Sequence, residues 1–192
     1  MKKTLIVAGL GLALVIGGSY AIFSYKGDKT EAATTTKQVT TQQVPKVSQA
    51  ELDKAAKDFY QIESNQNGDD FFYYSMITMA LQKLEFKGEE NYHIPLSVEV
   101  KRIQFDRANL QYLKNKAVEL KASEPYQKIL DKWLKGDFSN FENDYLTIRN
   151  IKDTNPPSPS PVQKVRTAEE EQKYIEHFFG NEGLQINIRD WQ

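Results

Sequence analysis

The sequence predicts an all-α fold: a compact bundle of about five to six helices after a single N-terminal transmembrane helix and a flexible tether. Three observations favour it. Residues 1–25 contain a long apolar run, residues 26–47 lack hydrophobic periodicity, and most of residues 48–192 repeats apolar side chains every three or four positions. We therefore divide the chain into a signal anchor or transmembrane helix (1–25), a linker (26–47) and an extracytoplasmic helical domain (48–192).

Composition excludes several classes of function. The chain has 192 residues, 40% of them hydrophobic, which suffices for one folded domain with appendages. It contains no cysteine, so disulfides, a thiol nucleophile, a thiolate metal site and a lipid-modified cysteine are excluded. Outside residues 1–25, which hold Lys2 and Lys3 and no acid, 23 basic and 26 acidic residues leave a net charge of −3. This mild acidity argues against a nucleic-acid partner.

The N-terminal segment predicts membrane insertion. The 22 residues from Thr4 to Tyr25 carry no charge, and a helix of that length spans ~33 Å against a hydrocarbon core of ~30 Å. Lys2 and Lys3 would remain in the cytoplasm, which gives a single-pass protein of the cell membrane with its C-terminal domain outside. The alternative is a secreted protein, because Ser19 and Ala21 form a small-x-small signal for cleavage after Ala21.

Small residues recur every four positions in this segment. Gly9, Ala13, Gly17 and Ala21 fall on one face of a helix, where a second helix can approach closely. The pattern is consistent with a homodimer through these four residues. The simpler interpretation is that export segments are rich in Gly and Ala.

The first and last predicted helices begin at capping boxes. Ser48 with Glu51, and Thr167 with Glu170, place a hydroxyl and a carboxylate three residues apart, so that each can satisfy backbone groups of the first turn. Ser97 and Ser123 are expected to cap further helices. The second and third predicted helices cover about 70–86 and 98–121. The fourth is capped by Ser123 and ended by Gly136, and a fifth is implied by the spacing of Phe138, Phe141, Tyr145 and Ile148.

Glycine and proline mark the expected ends of these elements. Asn67-Gly68 predicts a turn, Gly136 the end of the fourth helix and Gly180 the end of the last one. The proline-rich segment 155–161 is predicted to be extended. The tail LQINIRDWQ (184–192) alternates apolar residues and predicts a short packed strand.

The stretch ESNQNGDD (63–70) resembles the start of a calcium-binding loop. Glu63, Asn65, Asn67 and Gly68 match positions one, three, five and six of such a loop, but the twelfth position, which should be a bidentate Glu, is Tyr74. Asn-Gly is also a common turn sequence. We therefore expect a polar turn without a metal.

Catalytic signals are few. His93 and His177 have no partner at metal-ligand spacing, and both are expected at the surface. No glycine-rich phosphate loop or nucleophile elbow is present. We assign no catalytic, cofactor or metal residues. A Ser-His-acid triad stays open, because its members need not be adjacent in sequence. The enzyme that we consider would use carboxylates such as Asp137, Glu142 or Asp144.

Trp133 is predicted to lie in the core. It follows Ile129 and Leu130 at helical spacing, and Phe138 and Phe141 return on the next helix. This pattern predicts a helical hairpin closed around aromatic side chains. The alternative is an exposed aromatic that binds a ligand.

Three stretches carry a family resemblance: IPLSVEVKRI (94–103), YQKILDKWLKGDFSNFENDYLTI (126–148) and TAEEEQKYIEHFF (167–179). They resemble an uncharacterised family of small membrane-anchored extracytoplasmic proteins of Bacillus-type Gram-positive bacteria, a domain of unknown function. The likeness covers about residues 72–179 and is most specific at WLKGDFS (133–139). It implies a helical order and an external location, and no activity. Members often carry histidines at the places that here hold Ile77, Leu81 and Tyr145, so no site residue is transferred.

These observations lead to one functional hypothesis and two alternatives. The first is a non-catalytic, membrane-tethered extracytoplasmic domain that acts through an unknown protein or cell-envelope partner and needs no cofactor. The alternatives are a carboxylate-based enzyme acting on cell-envelope material, and a cleaved secreted protein.

Overall fold

The computed structural model describes residues 46–94, 101–152 and 160–192. Within them the protein is mostly helical, with six helices and one small antiparallel sheet. The elements are α1 (Gln49–Asn65), α2 (Asp69–Ala80), β1 (Leu84–Phe86), α3 (Arg107–Glu119), α4 (Glu124–Leu134), α5 (Phe141–Lys152), β2 (Val162–Val165) and α6 (Ala168–Trp191). The predicted all-α class is thus confirmed in its main feature.

The predicted membrane segment lies outside the described residues, as do Gly9, Ala13, Gly17 and Ala21. Among the residues that are described, no helix combines the length and the apolar character needed to cross a membrane.

Both predicted capping boxes are present. The Ser48 amide donates to Glu51 Oε2 (2.8 Å) and the Glu51 amide to Ser48 Oγ (3.3 Å). At the start of α6 the Thr167 amide donates to Glu170 Oε2 (2.9 Å), and the Glu170 amide donates back to Thr167 Oγ1 (3.3 Å). These local signals therefore fixed where the first and last helices begin.

The predicted hairpin of α4 and α5 lies in the main hydrophobic core. Trp133 is fully buried, stacks on Phe141 with ring centroids 4.9 Å apart, and meets Phe105 at 5.1 Å. Gly136 follows α4 in the left-handed region (φ 74°), where a residue without Cβ is favoured. The core prediction for Trp133 is confirmed.

The cap expected at Ser123 differs in detail. Ser123 is the N-cap residue of α4, but its side chain makes no capping hydrogen bond. Its amide and hydroxyl instead donate to the carboxylate of Asp69 at the start of α2. The hydroxyl thus joins two helices.

The second predicted helix is too long. It ends at Ala80, and Leu84–Phe86 form β1, whose register pairs Leu84 with Val165 and Phe86 with Val162 of β2. Backbone pairing begins with the Arg166 amide, which donates to the Lys83 carbonyl (2.8 Å). This non-local pairing, invisible in the local periodicity, replaces the last helical turns.

The third predicted helix begins too early. Residues 101–106 are not helical, and α3 begins at Arg107 because Asp106 is the N-cap, whose carboxylate accepts the Asn109 amide (2.7 Å). Residues 98–100 and Ser97 lie outside the described residues, as do residues 153–159 of the predicted extended segment.

The tail is helical and not a strand. Gly180 has φ 62° and interrupts the helical geometry, as expected of a stop, but the chain resumes a helix that continues to Trp191. Burial in this part recurs at Gly183, Asn187 and Asp190, at intervals of four and three residues. Asn187 and Asp190 are therefore buried, whereas Ile186 is half-buried and Ile188 is exposed.

Candidate functional site

A cleft of about 630 Å³ lies between α1, the turn at residues 91–93, the segment 101–109 and the second half of α6. This volume is in the range of small-molecule and short-peptide sites. We call it the α1–α6 cleft. Its lining includes charged residues from α1, 101–109 and α6 and aromatic residues from α6 and the turn.

Two ion pairs connect the helices on either side of the cleft. Lys54 of α1 lies 2.6 Å from Glu182 of α6, and Glu51 of α1 is bound by Arg189 of α6. Such exposed pairs add little stability. They do, however, satisfy four of the charges that line the α1–α6 cleft.

A strained turn forms one end of the cleft. Asn91 (φ 48°) and Tyr92 (φ 64°) both have positive φ, between Glu90 and His93, which form a β-bridge. Two-residue turns of this kind favour Gly at the second position, so a Tyr there is held by its surroundings. The Tyr92 ring packs on Tyr174 at 5.1 Å between centroids, which compensates for the backbone strain.

The same turn orients Arg102. The Arg102 guanidinium donates from Nη2 to the Tyr92 carbonyl (2.8 Å) and lies over the Phe178 ring at 5.3 Å. Within residues 46–94, 101–152 and 160–192, no carboxylate forms an ion pair with it. Its neighbour Lys101 is different, since it lies 3.5 Å from Asp58. Arg102 is thus a half-buried cation at the edge of the cleft, and within the described parts of the chain some of its five N–H donors are unused.

Close approach between α6 and the segment 101–109 forms the opposite part of the cleft. Gln104 Nε2 donates to the Gly183 carbonyl (2.7 Å). A Cβ at Gly183 would lie 2.4 Å from Phe179 Cβ and 3.3 Å from Gln104 Oε1. Only glycine fits here without displacement.

Asn109 is a buried lining residue with one unsatisfied atom. It is 2% exposed, and its Nδ2 donates to the Gln104 carbonyl (2.9 Å) and to Asp106 Oδ2 (3.2 Å). Its Oδ1 accepts no hydrogen bond from any described residue. A buried acceptor without a donor is unfavourable, so this atom is a point at which a ligand could add an interaction.

Asp106 is the buried carboxyl of the cleft. Burial raises its pKa to about 7, the Asn109 amide opposes this shift, and the charges of Asp190 and Asp58 add to it. Arg189 acts in the opposite direction. The cleft therefore contains a carboxyl that changes charge near neutral pH.

The structure brings together the two histidines that the sequence could only place separately. His93 and His177 both line the α1–α6 cleft, and both are exposed, as predicted. The His177 ring packs against Tyr92, 5.1 Å between centroids. Among the described residues, no group of three or more His, Asp or Glu side chains is arranged to hold a metal ion.

The three carboxylates considered for an enzyme do not line the cleft. Asp144 accepts from Trp133 Nε1 (3.0 Å) and pairs with Lys132 (2.9 Å). The other two have separate contacts: Asp137 accepts from Ser139 Oγ (2.7 Å), and Glu142 accepts from Ser160 Oγ (2.8 Å).

The calcium-like stretch is a helix junction. Glu63 belongs to α1, where its carboxylate accepts from Tyr112 Oη (2.9 Å) and pairs with Lys116 (2.9 Å). Asn65 Nδ2 donates back to the Gln61 carbonyl (2.7 Å). The turn predicted at Asn67-Gly68 is present, because α1 ends at Asn65 and Gly68 (φ 55°) precedes α2.

The positions at which the resembling family often carries histidines are hydrophobic in this fold. Leu81 and Tyr145 are buried in the core, and Ile77 packs against it. These side chains contribute to packing.

Comparison with known proteins gives no match: no family model, no curated protein and no solved structure is significantly similar to this chain. The family resemblance stays a prediction from the quoted stretches. The geometry of the cleft is therefore the feature from which a function can be inferred.

Proposed function

We propose that this protein is a non-catalytic binding domain, held at the outer face of the cell membrane by its N-terminal segment. In this proposal the α1–α6 cleft receives a carboxylate-bearing segment of a protein or cell-envelope partner. The observation that carries the proposal is Arg102, a half-buried cation in the cleft without a carboxylate partner among the described residues.

The surroundings of Arg102 favour recognition of a planar anion. Its contact with the Phe178 ring and its hydrogen bond to the Tyr92 carbonyl hold the guanidinium in one place. A fixed guanidinium presents paired N–H donors that match the two oxygens of a carboxylate. The neighbouring cations Lys54 and Arg189 already have carboxylate partners, so among the described cations of the cleft we propose Arg102 as the one that a ligand engages.

The binding proposal is tested with two small probes on the full-length chain in detergent. N-acetyl-Ala-Ala-Ala has a free carboxylate, and its C-terminal amide has none. By isothermal titration calorimetry we expect the free acid to bind about tenfold more tightly or better, since a charged hydrogen bond contributes roughly 1.5–3 kcal/mol.

A pair of variants connects this preference to the cleft. Arg102→Gln should abolish the preference for the free acid. Lys128→Gln removes one positive charge from an exposed position on α4, outside the cleft, and should retain the preference. If both variants lost the preference for the free acid equally, the preference would be due to the overall charge of the protein and not to Arg102.

The proposed membrane location is based on the sequence of the N-terminal segment. Lys2, Lys3 and the uncharged run from Thr4 to Tyr25 motivate it. Protease added to intact, wall-stripped cells should degrade the C-terminal domain. Protection of the domain would contradict the orientation, and a product in the medium that starts at Ile22 would favour the secreted alternative.

A second candidate is an enzyme that acts on envelope peptides. Asp106 favours it, because a carboxyl in a cleft with a pKa of about 7 can act as a general acid or base near neutral pH. We prefer binding because the Asp106 carboxylate already caps α3. Mass spectrometry of a bound peptide separates the two: binding leaves it intact, whereas catalysis cleaves it and Asp106→Asn stops the cleavage.

A further inference from the structure

The end of the cleft at Asp106 and Asn109 has an excess of hydrogen-bond acceptors. Both Asn109 Nδ2 contacts are to acceptors of the chain itself, and the buried Asn109 Oδ1 accepts no hydrogen bond from any described residue. The Asp106 carboxylate lies beside it. A ligand group that only donates hydrogen bonds would complete this end, and an ammonium group has three donors and no acceptor.

The charges facing this end also favour a cation. Asp58 of α1 and Asp190 of α6 both act electrostatically on Asp106. The described cations near this end already have carboxylate partners. Arg189 binds Asp190 (2.7 Å) and Glu51, and Lys101 lies 3.5 Å from Asp58. Lys54, which also interacts with Asp58 and Asp106, is paired with Glu182 (2.6 Å). Among the described residues, the acidic end thus has room for a cation, whereas Arg102 has room for an anion.

The two ends are a short distance apart. Arg102 and Asp106 belong to one non-helical segment and are four residues apart in sequence. At 3.3–3.6 Å per fully extended residue, their Cα atoms are separated by at most roughly 14 Å. A peptide of about two to four residues spans such a distance.

We infer that the α1–α6 cleft binds a short zwitterionic peptide, with its ammonium group against Asp106 and Asn109 and its carboxylate against Arg102. This inference rests on the proposed function, because it adds a second contact to the same ligand. It assigns the ligand class by charge complementarity at both ends of one cleft.

Three probes test the two ends separately. Ala-Ala-Ala has both charges, N-acetyl-Ala-Ala-Ala only the carboxylate, and Ala-Ala-Ala amide only the ammonium group. Each is titrated into the full-length chain in detergent at pH 7.5. We expect Ala-Ala-Ala to bind about tenfold more tightly than either singly charged probe.

Variants assign the amine contact. Asp106→Asn should reduce the advantage of Ala-Ala-Ala over its acetylated form to within about twofold, and should retain the preference for a free carboxylate. Asn caps helices as well as Asp, so the start of α3 should survive, which an unchanged circular dichroism spectrum would verify. If this variant fails to fold, Asp58→Asn replaces it and should reduce the advantage about threefold.

The outcomes separate the inference from the proposed function. Equal binding of Ala-Ala-Ala and its acetylated form, both tighter than the amide, overturns the amine site and leaves the carboxylate site standing. Equal binding of Ala-Ala-Ala and the amide overturns the zwitterionic ligand and the role of Arg102. Equal or undetectable binding of all three overturns both proposals.

Discussion

The α4–α5 hairpin and the α1–α6 cleft differ in whether their polar groups have partners among the described residues. In the hairpin, Trp133 Nε1 and Lys132 Nζ both bind the Asp144 carboxylate, at 3.0 Å and 2.9 Å. In the cleft, Asn109 Oδ1 has no partner and Arg102 has no carboxylate among the described residues. Within the described residues these hairpin groups are fully paired, whereas the cleft has polar groups that another molecule could bind.

This difference predicts where substitutions affect stability and where they affect binding. A completed site contributes to the free energy of unfolding, and its loss destabilises the fold. A site with unsatisfied or like-charged groups is often suboptimal for stability, so changing it can stabilise the protein while it removes function.

The largest effect is expected in the hairpin. Trp133→Ala removes a fully buried ring and the hydrogen bond to Asp144, and should reduce the free energy of unfolding by roughly 3–5 kcal/mol. Urea titration followed by circular dichroism measures this change. Tyr60→Ala is the control, because Tyr60 is 68% exposed, and should stay within about 0.5 kcal/mol of wild type. A Trp133→Ala protein of wild-type stability would remove this residue from the core.

The next largest effect is a gain in stability, expected when Asp106 in the cleft is replaced. Asp106 has a folded-state pKa of about 7 against an ordinary value of 3.8, so the native state binds more protons than the unfolded state between these values. Stability due to this group therefore falls as pH rises from 4 to 7 and stays low above 7.

Asp106→Asn should remove this penalty. At pH 7.5 the variant should be more stable than wild type by roughly 1–3 kcal/mol, and at pH 4 the two should be nearly equal. Urea titrations at both pH values measure the difference. A variant that is less stable at pH 7.5 would mean that the carboxylate is stabilising and that the acidic end of the cleft is already satisfied.

Gly183→Ala tests the close approach in the cleft. Alanine normally stabilises a helix by about 1 kcal/mol relative to glycine, but here its Cβ would lie 2.4 Å from Phe179 Cβ. We expect a net destabilisation of about 1–2 kcal/mol, because the turn of α6 between Phe179 and Gly183 must distort. Peptide binding should also weaken, because this distortion displaces the Gly183 carbonyl to which Gln104 donates. Thermal melting and the tripeptide titration measure the two effects. A stabilised variant would show that α6 has room for a Cβ beside Phe179.

The smallest effect is at Gly136, at the end of the hairpin. Its φ is 74°, and no atom lies within 4 Å of a Cβ built there. Gly136→Ala therefore has backbone strain without a clash and should cost about 1 kcal/mol. Thermal melting should detect it, with peptide binding unchanged. A larger loss of stability, or weaker peptide binding, would contradict the view that the hairpin determines stability and the cleft determines binding.

Local sequence signals predicted the hairpin well. Trp133, Gly136 and Phe141 lie within nine residues of one another, so helical spacing and a glycine sufficed. The same holds for the capping boxes at Ser48 and Thr167. The sheet was missed because β1 and β2 are far apart in sequence and each is short.

The cleft could not be predicted in the same way. Its residues come from four separate parts of the chain, and each charge alone resembles an ordinary surface charge. One local signal existed: Asp106 precedes Asn109 by three residues, as an N-cap should. Ser97 gives a similar cap signal earlier in the chain, and the apolar periodicity predicts a helix back to residue 98. These two signals hide the non-helical segment that carries Arg102.

The most direct test of the open cleft is an NMR titration of the ¹⁵N-labelled full-length chain in detergent with Ala-Ala-Ala. The side-chain N–H signals of Arg102, Asn109 and Trp133 report on the cleft and on the hairpin in one spectrum. We predict that Arg102 Nε–H and Asn109 Nδ2–H shift in a saturable manner while Trp133 Nε1–H stays in place. Unchanged Arg102 and Asn109 signals, or a Trp133 signal that moves equally far, would contradict a cleft prepared for a ligand and a hairpin already complete.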